Sequence, residues 1–396
     1  MKKKEKRFLA VMLALSMLLS GCARAEEREN PGTSSVEMLA INVGKADALL
    51  ITLGGYRYLV DTGTAESWGK LQYVLETERV NHLDGVFLTH TDKDHGGGMA
   101  ALAESDIQVD HWYAARIFHE KKQKNHQAVR AAKARGGEVE WLKVGDKIQA
   151  GESAFTVLGP LSENAEKENN NSLVLRLDTP EGAMLLTGDM EFAEEAELLS
   201  SGAELSAPVL KVAHHGEDDA TSEALVSAVS PQIAVISTST IQEADTPSPL
   251  VLAILEAANV RVFETQDADL GVRVTLKEGA AQAQLVDDPY QRPVVDTVQL
   301  VELDSKQDYL VIENDGEEQQ SLAGWYLFSD KGNELFFFPD GSVIAPNQQI
   351  LVGSLSYPGE ADYRWQEENI FHNKKKDNVL LYDPLGRLVS SIANGN

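Results

Sequence analysis

Two imidazoles and two carboxylates fall within the six residues His90-Thr91-Asp92-Lys93-Asp94-His95. Imidazole nitrogen and carboxylate oxygen together suit zinc, manganese or iron, and a tight loop lets several such donors converge on one ion. A polar turn that merely caps the next helix needs a single Asp and accounts for neither histidine. The stretch follows Val86 to Leu88, an apolar run with the character of a buried strand, and passes through Gly96-Gly97-Gly98 into a helix-like segment, Met99 to Glu104. The spacing describes a metal site on a strand-end loop.

Three more polar clusters end apolar runs: Asp61, Asp189, and His214 with His215. A carboxylate at Asp189 can bridge two metals while histidines supply neutral nitrogen to either side, which is the composition of a hydrolytic metal centre. Elements that could hold these clusters follow from the pattern. Met38 to Val43, Ala48 to Leu53 and Tyr56 to Val60 read as strands joined by tight turns, an antiparallel start. Trp68, Leu71, Val74 and Leu75 recur at helical spacing as a core stripe. Leu173 to Leu177 and Met184 to Thr187 read as paired strands, followed by an acidic helix, Glu191 to Leu199, and a strand, Val209 to Ala213. Helices Ser222 to Val229 and Pro249 to Ala258 then alternate with strands Ile233 to Ser237, Arg261 to Glu264 and Val272 to Leu276. Early strands, interleaved helices and polar clusters confined to strand ends predict an α/β fold of stacked helix and sheet layers.

At 396 residues the chain is long enough for two or three domains. Lys2, Lys3, Lys4, Lys6 and Arg7 form a basic head before the apolar run Phe8 to Ser20, which is too short to span a bilayer and reads as a targeting signal. Its end, Leu19-Ser20-Gly21-Cys22, resembles the lipobox of bacterial lipoproteins, which implies cleavage before a lipidated Cys22 and attachment to the extracellular face of the cytoplasmic membrane. The boundaries expected are a signal peptide over 1–21, a polar tether over 22–36, a metal-site domain over 37–288, and, after Asp288-Pro289, an all-β module over 289–396 with short aromatic strands and the turn signals Asn314-Asp315-Gly316 and Pro339-Asp340-Gly341. Cys22 is the only cysteine, which excludes disulfides and a thiolate nucleophile. Acids outnumber bases 62 to 35, for a net charge of −27, so the surface as a whole repels polyanions. One stretch reverses that sign: Arg116, His119, Lys121, Lys122, Lys124, His126, Arg130, Lys133 and Arg135 stand against the single acid Glu120. It reads either as a phosphate-facing wall of a substrate cleft or as a solvated helix face.

The first domain resembles the metallo-β-lactamase fold, and within it the nuclease-like domain of the ComEC competence proteins. Asn42-Val43-Gly44-Lys45-Ala46-Asp47-Ala48 resembles that group's D-V-G-Q-G-D-A, Leu59 to Gly63 its L-I-D-T-G, and His90 to His95 its H-x-D-x-D-H, with Asp92 where most of the superfamily has a second histidine. Asn170 to Leu175, Leu185 to Asp189 and Leu210 to Gly216 resemble its N-x-S-L-V-L, L-L-T-G-D and L-K-V-x-H-H-G. The resemblance implies an αββα sandwich holding one or two divalent ions, zinc or manganese, at its strand ends. It implies ligation by His90, Asp92, Asp94, His95, Asp189 and one of the pair His214 and His215. We take His214 as the ligand and leave His215, with Asp94, to move the proton as a metal-bound hydroxide attacks a phosphodiester. Three departures stand out. No histidine occurs between His126 and His214, where other superfamily members have a ligand and this chain has Asn170 and Asn171; Glu217-Asp218-Asp219 follows Gly216 in place of a serine; and Ala244-Asp245-Thr246-Pro247 replaces G-H-P.

Asp308 to Asn314, Ser321 to Leu327, Phe336 to Gly341 and Asp377 to Gly386 resemble the lamin tail domain, an immunoglobulin-like β-sandwich found beside bacterial nuclease and phosphoesterase domains as an adaptor whose partner the residues do not name. Lys374-Lys375-Lys376 reads as a solvated loop. The expected function is a surface-anchored, metal-dependent phosphodiesterase or nuclease acting on extracellular DNA. The alternatives are a phosphocholine or teichoic-acid esterase acting on a cell-wall polymer, and a surface binding protein with a weak catalytic site.

Overall fold

A computed structural model describes residues 36–116, 126–372 and 374–394. The signal, Cys22 and the tether as far as Ser35, together with His119 to Lys124 of the basic stretch, lie outside the described residues, and Val36 already belongs to the first strand.

Two sheets form the centre of the first domain. The eight-stranded sheet runs, in spatial order, Ala280–Val286, Gly271–Lys277, Val36–Ile41, Leu49–Leu53, Tyr56–Val60, Gly85–Leu88, Trp112–Ala115, Val139–Leu142. Its middle opens as an antiparallel meander and continues, from Tyr56–Val60 onward, as parallel strands. The seven-stranded sheet repeats that plan. Lys147–Ala150, Ser153–Gly159, Val174–Thr179 and Gly182–Leu186 are antiparallel neighbours, and Val209–Lys211, Ile233–Ile236 and Arg261–Glu264 add on in parallel. Parallel pairing requires a crossover, and each crossover leaves a loop at a strand's carboxyl end, where an open α/β sheet places its ligands. Asp61, His90 to His95, Asp189 and the two adjacent histidines all lie in such loops.

The sheets face one another across a dry core in which Tyr58, Phe87, Tyr113 and Phe155 pack ring to ring. Helices Trp68–Thr77, Met99–Glu104 and Gln127–Ala134 cover the outer face of the first sheet through Leu71, Val74, Leu102 and Ala131. Helices Phe192–Ser200, Glu223–Val229 and Pro249–Ala257 cover the second through Leu198, Leu225 and Leu255. Two of these start where their caps dictate: Ser222 accepts from Leu225 N, and Ser248 accepts from Leu250 N ahead of a proline in the first turn. The architecture is the αββα sandwich. Strands Trp112–Ala115, Lys147–Ala150 and Ser153–Gly159 were not expected from the sequence, and the strand expected to reach Ala213 stops at Lys211, where the chain turns through Ala213–Gly216.

The second module is a β-sandwich. One sheet orders Val298–Asp304, Tyr309–Asn314, Gln348–Gly353, Tyr363–Arg364, and the other Glu334–Phe337, Tyr326–Ser329, Asn378–Tyr382, Leu388–Ala393. Leu310, Ile312, Leu327, Phe336, Trp365, Val379 and Leu381 fill the space between them.

This sandwich packs on helix Trp68–Thr77, which follows directly from the Asp61 loop. Tyr326 and Tyr382 stack with ring centres 5.1 Å apart, the Tyr382 hydroxyl donates to Glu66, and the Tyr326 ring lies so close to Gly69 that no Cβ fits there. At the far end of the helix, Tyr73 donates to Asp288 Oδ1 at 2.6 Å, while Arg292 lies over the Tyr73 ring. Overpacking of this kind forces backbone shifts. Gly69→Ala is therefore expected to lower stability by about 1–3 kcal/mol, read as a fall in the urea midpoint; a variant within about 0.5 kcal/mol of the parent would show that the ring does not rest on the helix.

Candidate metal centre

The first loop of the site is shaped by Asp61. Its backbone takes a left-handed conformation (φ 60°), which turns the carboxylate inward. Oδ1 accepts from Thr89 N at 2.8 Å, and Oδ2 accepts from Thr89 Oγ1 at 2.7 Å and faces His95 Nδ1 at 2.8 Å. The carboxylate thus holds the His95 ring with Nε2 pointing away, the arrangement that orients metal-ligating histidines. The backbone reinforces it: Thr62 N donates to His95 O at 2.7 Å, and Asp47 N donates to Asp94 O at 3.0 Å. The glycines after His95 allow this approach, since a Cβ on Gly98 would stand 2.5 Å from the Thr62 carbonyl oxygen.

From the second sheet come Asp189 and His215. Asp189 is fixed by its own N–H, which donates to Ser172 Oγ at 3.1 Å. His214 and His215 both take positive φ, 47° and 54°, and this tight turn sends the two rings in different directions. His215 Nδ1 is held by the Ser237 carbonyl at 2.9 Å, leaving Nε2 to face inward.

These side chains meet around one carboxylate oxygen. Asp189 Oδ2 lies 3.0 Å from His95 Nε2, 3.4 Å from His215 Nε2 and 3.8 Å from His90 Nε2. Asp94 Oδ2 approaches His215 Nε2 at 3.4 Å, and Asp92 Oδ2 approaches His90 Nε2 at 3.6 Å. All three Nε2 atoms and Asp189 Oδ1 are buried without a hydrogen-bond partner. Buried polar atoms are ordinarily satisfied, so three orphaned nitrogens gathered around one carboxylate, a mixed nitrogen and oxygen donor set, fit a divalent cation. Asp94, His95, Asp189 and His215 offer ligand atoms within reach of one ion. A second ion would draw on His90 and Asp92, with Asp189 shared.

Residues 41–240 match the model of the metallo-beta-lactamase superfamily. The chain belongs to that superfamily. Residues 291–396 match the lamin tail domain, which accounts for the β-sandwich. ComE operon protein 3 of Bacillus subtilis (strain 168) is 30% identical over 255 residues, covering 59% of this chain and 32% of that protein. Competence protein ComA of Neisseria gonorrhoeae is 27% identical over 246 residues, covering 61% and 33%. The chain therefore spans about a third of the length of these relatives. The crystal structure of the metallo-beta-lactamase fold protein YhfI from Bacillus subtilis aligns with a TM-score of 0.41 at 14% identity, covering 64% of this chain and 100% of that one.

The sequence left open which of the two adjacent histidines enters the superfamily's metal cluster, and took His214. The structure places His215 with Asp94, His95 and Asp189, and His214 in a separate group with Glu191 and Asp219. His214 instead sits between Asp219 Oδ1, 2.7 Å from its Nδ1, and Asn169 Nδ2, which faces its Nε2 at 3.1 Å. Both of its nitrogens are thereby engaged. With Nδ1 on Ser237, His215 would have no nitrogen left to shuttle a proton once an ion occupied Nε2. Asn170 and Asn171 do not replace the superfamily's missing histidine either: Asn170 bonds Glu191 and Glu194 N, and Asn171 bonds the backbone of Asn164 and Lys167. From the basic stretch, Arg135 caps backbone carbonyls of Leu102 and Ile107, His126 packs edge-on against Trp141, and Arg130 and Lys133 are exposed. Gln127, at the head of that helix, donates to Thr91 O at 2.7 Å and ties it to the metal loop.

Two residues at the centre were not singled out from sequence. Asp47 and Lys211 form a buried ion pair at 2.9 Å directly behind His215. A signal was available in Lys211, a lysine closing the apolar strand Val209–Lys211, because such a residue is seldom buried unless paired.

Electrostatics at the centre reflect an excess of negative charge. Burial by itself would raise the Asp189 and Asp94 carboxyls, but His95 and His215 hold Asp189 well below the usual carboxylate range and Asp94 at about 2. Burial would lower the two imidazoles, yet Asp189, with Asp61 at His95 and Asp94 at His215, raises His95 well above its ordinary value and His215 to about 9. Raised imidazoles stabilise the metal-free fold fully below their ordinary pKa of 6.5, and for His215 that contribution is lost as pH climbs through about 9. A cation must displace the same protons. Metal binding at pH 7 is expected to release about two protons per protein, with the release declining as pH approaches 9. Calorimetric titration in buffers of different ionisation enthalpy reads this directly, and an identical heat in every buffer would contradict it.

Proposed function

We propose that this protein is a metal-dependent phosphodiesterase, held by a lipidated Cys22 on the extracellular face of the bacterial membrane, with DNA as its foremost substrate. The observation that carries the hydrolytic part is the convergence of unpartnered His90, His95 and His215 nitrogens on Asp189, beside Asp94. A divalent cation at such a point lowers the pKa of a water and neutralises charge that builds on a phosphoryl oxygen. The chain's own residues supply the rest. Asp61, Ser237 and Thr89 fix the three rings. Asp94, 32% exposed at the mouth and anionic down to about pH 2, accepts a hydrogen bond from the attacking water and orients it. A carboxyl so acidic is a weak base, so Asp94 steers the nucleophile more than it stores its proton.

Two features support a nucleic-acid substrate. The basic stretch, through Gln127, abuts the metal loop and presents Arg130 and Lys133 to solvent. The relative named competence protein ComA is in keeping with that reading. A second reading, hydrolysis of a cell-wall phosphoester such as a phosphocholine or teichoic-acid ester, draws on lysines already committed to carboxylates. Lys45 is clamped between Glu217 at 3.0 Å and Glu243 at 2.8 Å, and Lys167 between Glu191 at 2.8 Å and Asp219 at 3.5 Å.

Protein loaded with manganese or zinc is expected to cleave DNA and bis-p-nitrophenyl phosphate faster than phosphocholine esters, and His95→Ala to lose activity by on the order of 100-fold or more. Faster turnover of the phosphocholine ester selects the second reading; no turnover of any, with no effect of His95→Ala, removes both. The anchor is read separately, since fatty-acid labelling of the expressed protein should disappear in Cys22→Ser, and labelling that persists would count against it.

A further inference from the structure

The metal centre is built from two sheets that share no strand. His90, Asp92, Asp94 and His95 follow a strand of the first sheet, Asp189 and His215 follow strands of the second, and the separation between the two sets decides whether they can hold one ion. Resting on the metal-site reading above, we propose that Asp47 and Lys211 are a positioning pair that sets this separation. Asp47 lies in the loop between Val36–Ile41 and Leu49–Leu53, and Lys211 closes strand Val209–Lys211. Their side chains meet at 2.9 Å with 2% and 0% exposure.

Each partner is tied by its backbone to one half of the site. Asp47 N donates to Asp94 O at 3.0 Å, and Asp47 O accepts from Gly63 N at 2.8 Å, beside Thr62, which holds His95 O. On the other side, Lys211 O accepts from Thr187 Oγ1 at 2.6 Å, two residues before Asp189. Lys211 Nζ also donates to Val212 O at 3.0 Å, where the chain starts its turn into His214 and His215. The strut thus links the Asp94 and His95 backbone to the Asp189 and His215 backbone. Asp47 Oδ1 has no hydrogen-bond partner and lies 3.9 Å from His215 Nδ1, so the same carboxylate biases the ligand ring itself.

A buried ion pair is a costly way to fill space, because well-packed apolar side chains of similar volume commonly hold a fold as well or better. What an apolar pair cannot supply is a fixed polar span between two backbones. That difference provides the test. Asp47→Leu with Lys211→Met removes both charges together and leaves neither buried alone. Cobalt(II) serves as the probe, read by its visible absorption and by its dissociation constant, with the thermal midpoint of the metal-free protein measured alongside. The double variant is expected to keep a midpoint near the parent's while cobalt binds about 10–100-fold more weakly with a changed spectrum. Asp47→Glu keeps the charge and lengthens the span by one methylene, and is expected to weaken cobalt binding as well.

If the double variant is as stable as the parent and binds cobalt with the parent's affinity and spectrum, the pair is packing only and the proposal is overturned. It is overturned equally if the double variant does not fold, because the pair is then a stability element, or if Asp47→Glu binds cobalt as the parent does. Failure of the parent itself to bind cobalt would instead overturn the metal-site reading, and this proposal with it.

Discussion

The carboxylates of Asp47, Asp61 and Asp189 are drawn into one nearly solvent-free volume, with Asp94 at its edge. Like charges so placed repel strongly in a low dielectric, and the fold is tenable only because positive charge is brought to them. Lys211 neutralises Asp47, and the imidazoles of His95 and His215 share the charge of Asp61, Asp94 and Asp189. Much of the first domain can be understood from that constraint. Parallel strands deliver the groups because their carboxyl ends all open on the same side. Glycines follow His95 because the Asp61 loop must pass against them. The turn at His214 and His215 takes an unusual backbone because only one of two adjacent rings can join the centre.

The lamin tail domain packs against an element that borders the same centre. Helix Trp68–Thr77 begins a few residues beyond Asp61, and its exposed side is covered by the sandwich through Tyr326, Tyr382 and the close approach at Gly69. Lys70, buried in that contact, has its pKa lowered to about 8 by burial despite the nearby Asp269, Asp383 and Asp288. The helix is thus packed on one face by the first sheet and on the other by the second module, next to the Asp61 loop.

The layers of the fold were legible because the strands and helices flanking the site carry unbroken apolar periods, as in Tyr56–Val60 or Trp68 to Leu75. Two short strands beyond Leu88 are a different matter. Trp112–Ala115 is buried throughout yet only four residues long, and Lys147–Ala150 carries exposed polar side chains on an edge; neither length nor alternation marks them. Within the site, residue type and spacing identified His90, His95, Asp94 and Asp189 as donors that could converge. They could not decide between His214 and His215, since that choice lies in two backbone angles within one turn. Nor could they pair Asp47 with Lys211, which are separated by more than half of the first domain and meet only because the sheets stack.

The departures from the superfamily pattern, read singly in the sequence, belong together in space. Glu217 stands where relatives have a serine and Thr246 where they have a histidine, and here Thr246 Oγ1 donates to Glu217 Oε1 at 3.0 Å while the same oxygen receives Lys45. Lys45 is thereby committed to carboxylates, and Lys167, on the other side of the His214 turn, is committed in the same way. A phosphoryl group entering this mouth meets no free lysine on that rim among the described residues. Its charge must be balanced by the ion, which favours a single phosphate at the centre and disfavours further phosphates over the acidic rim.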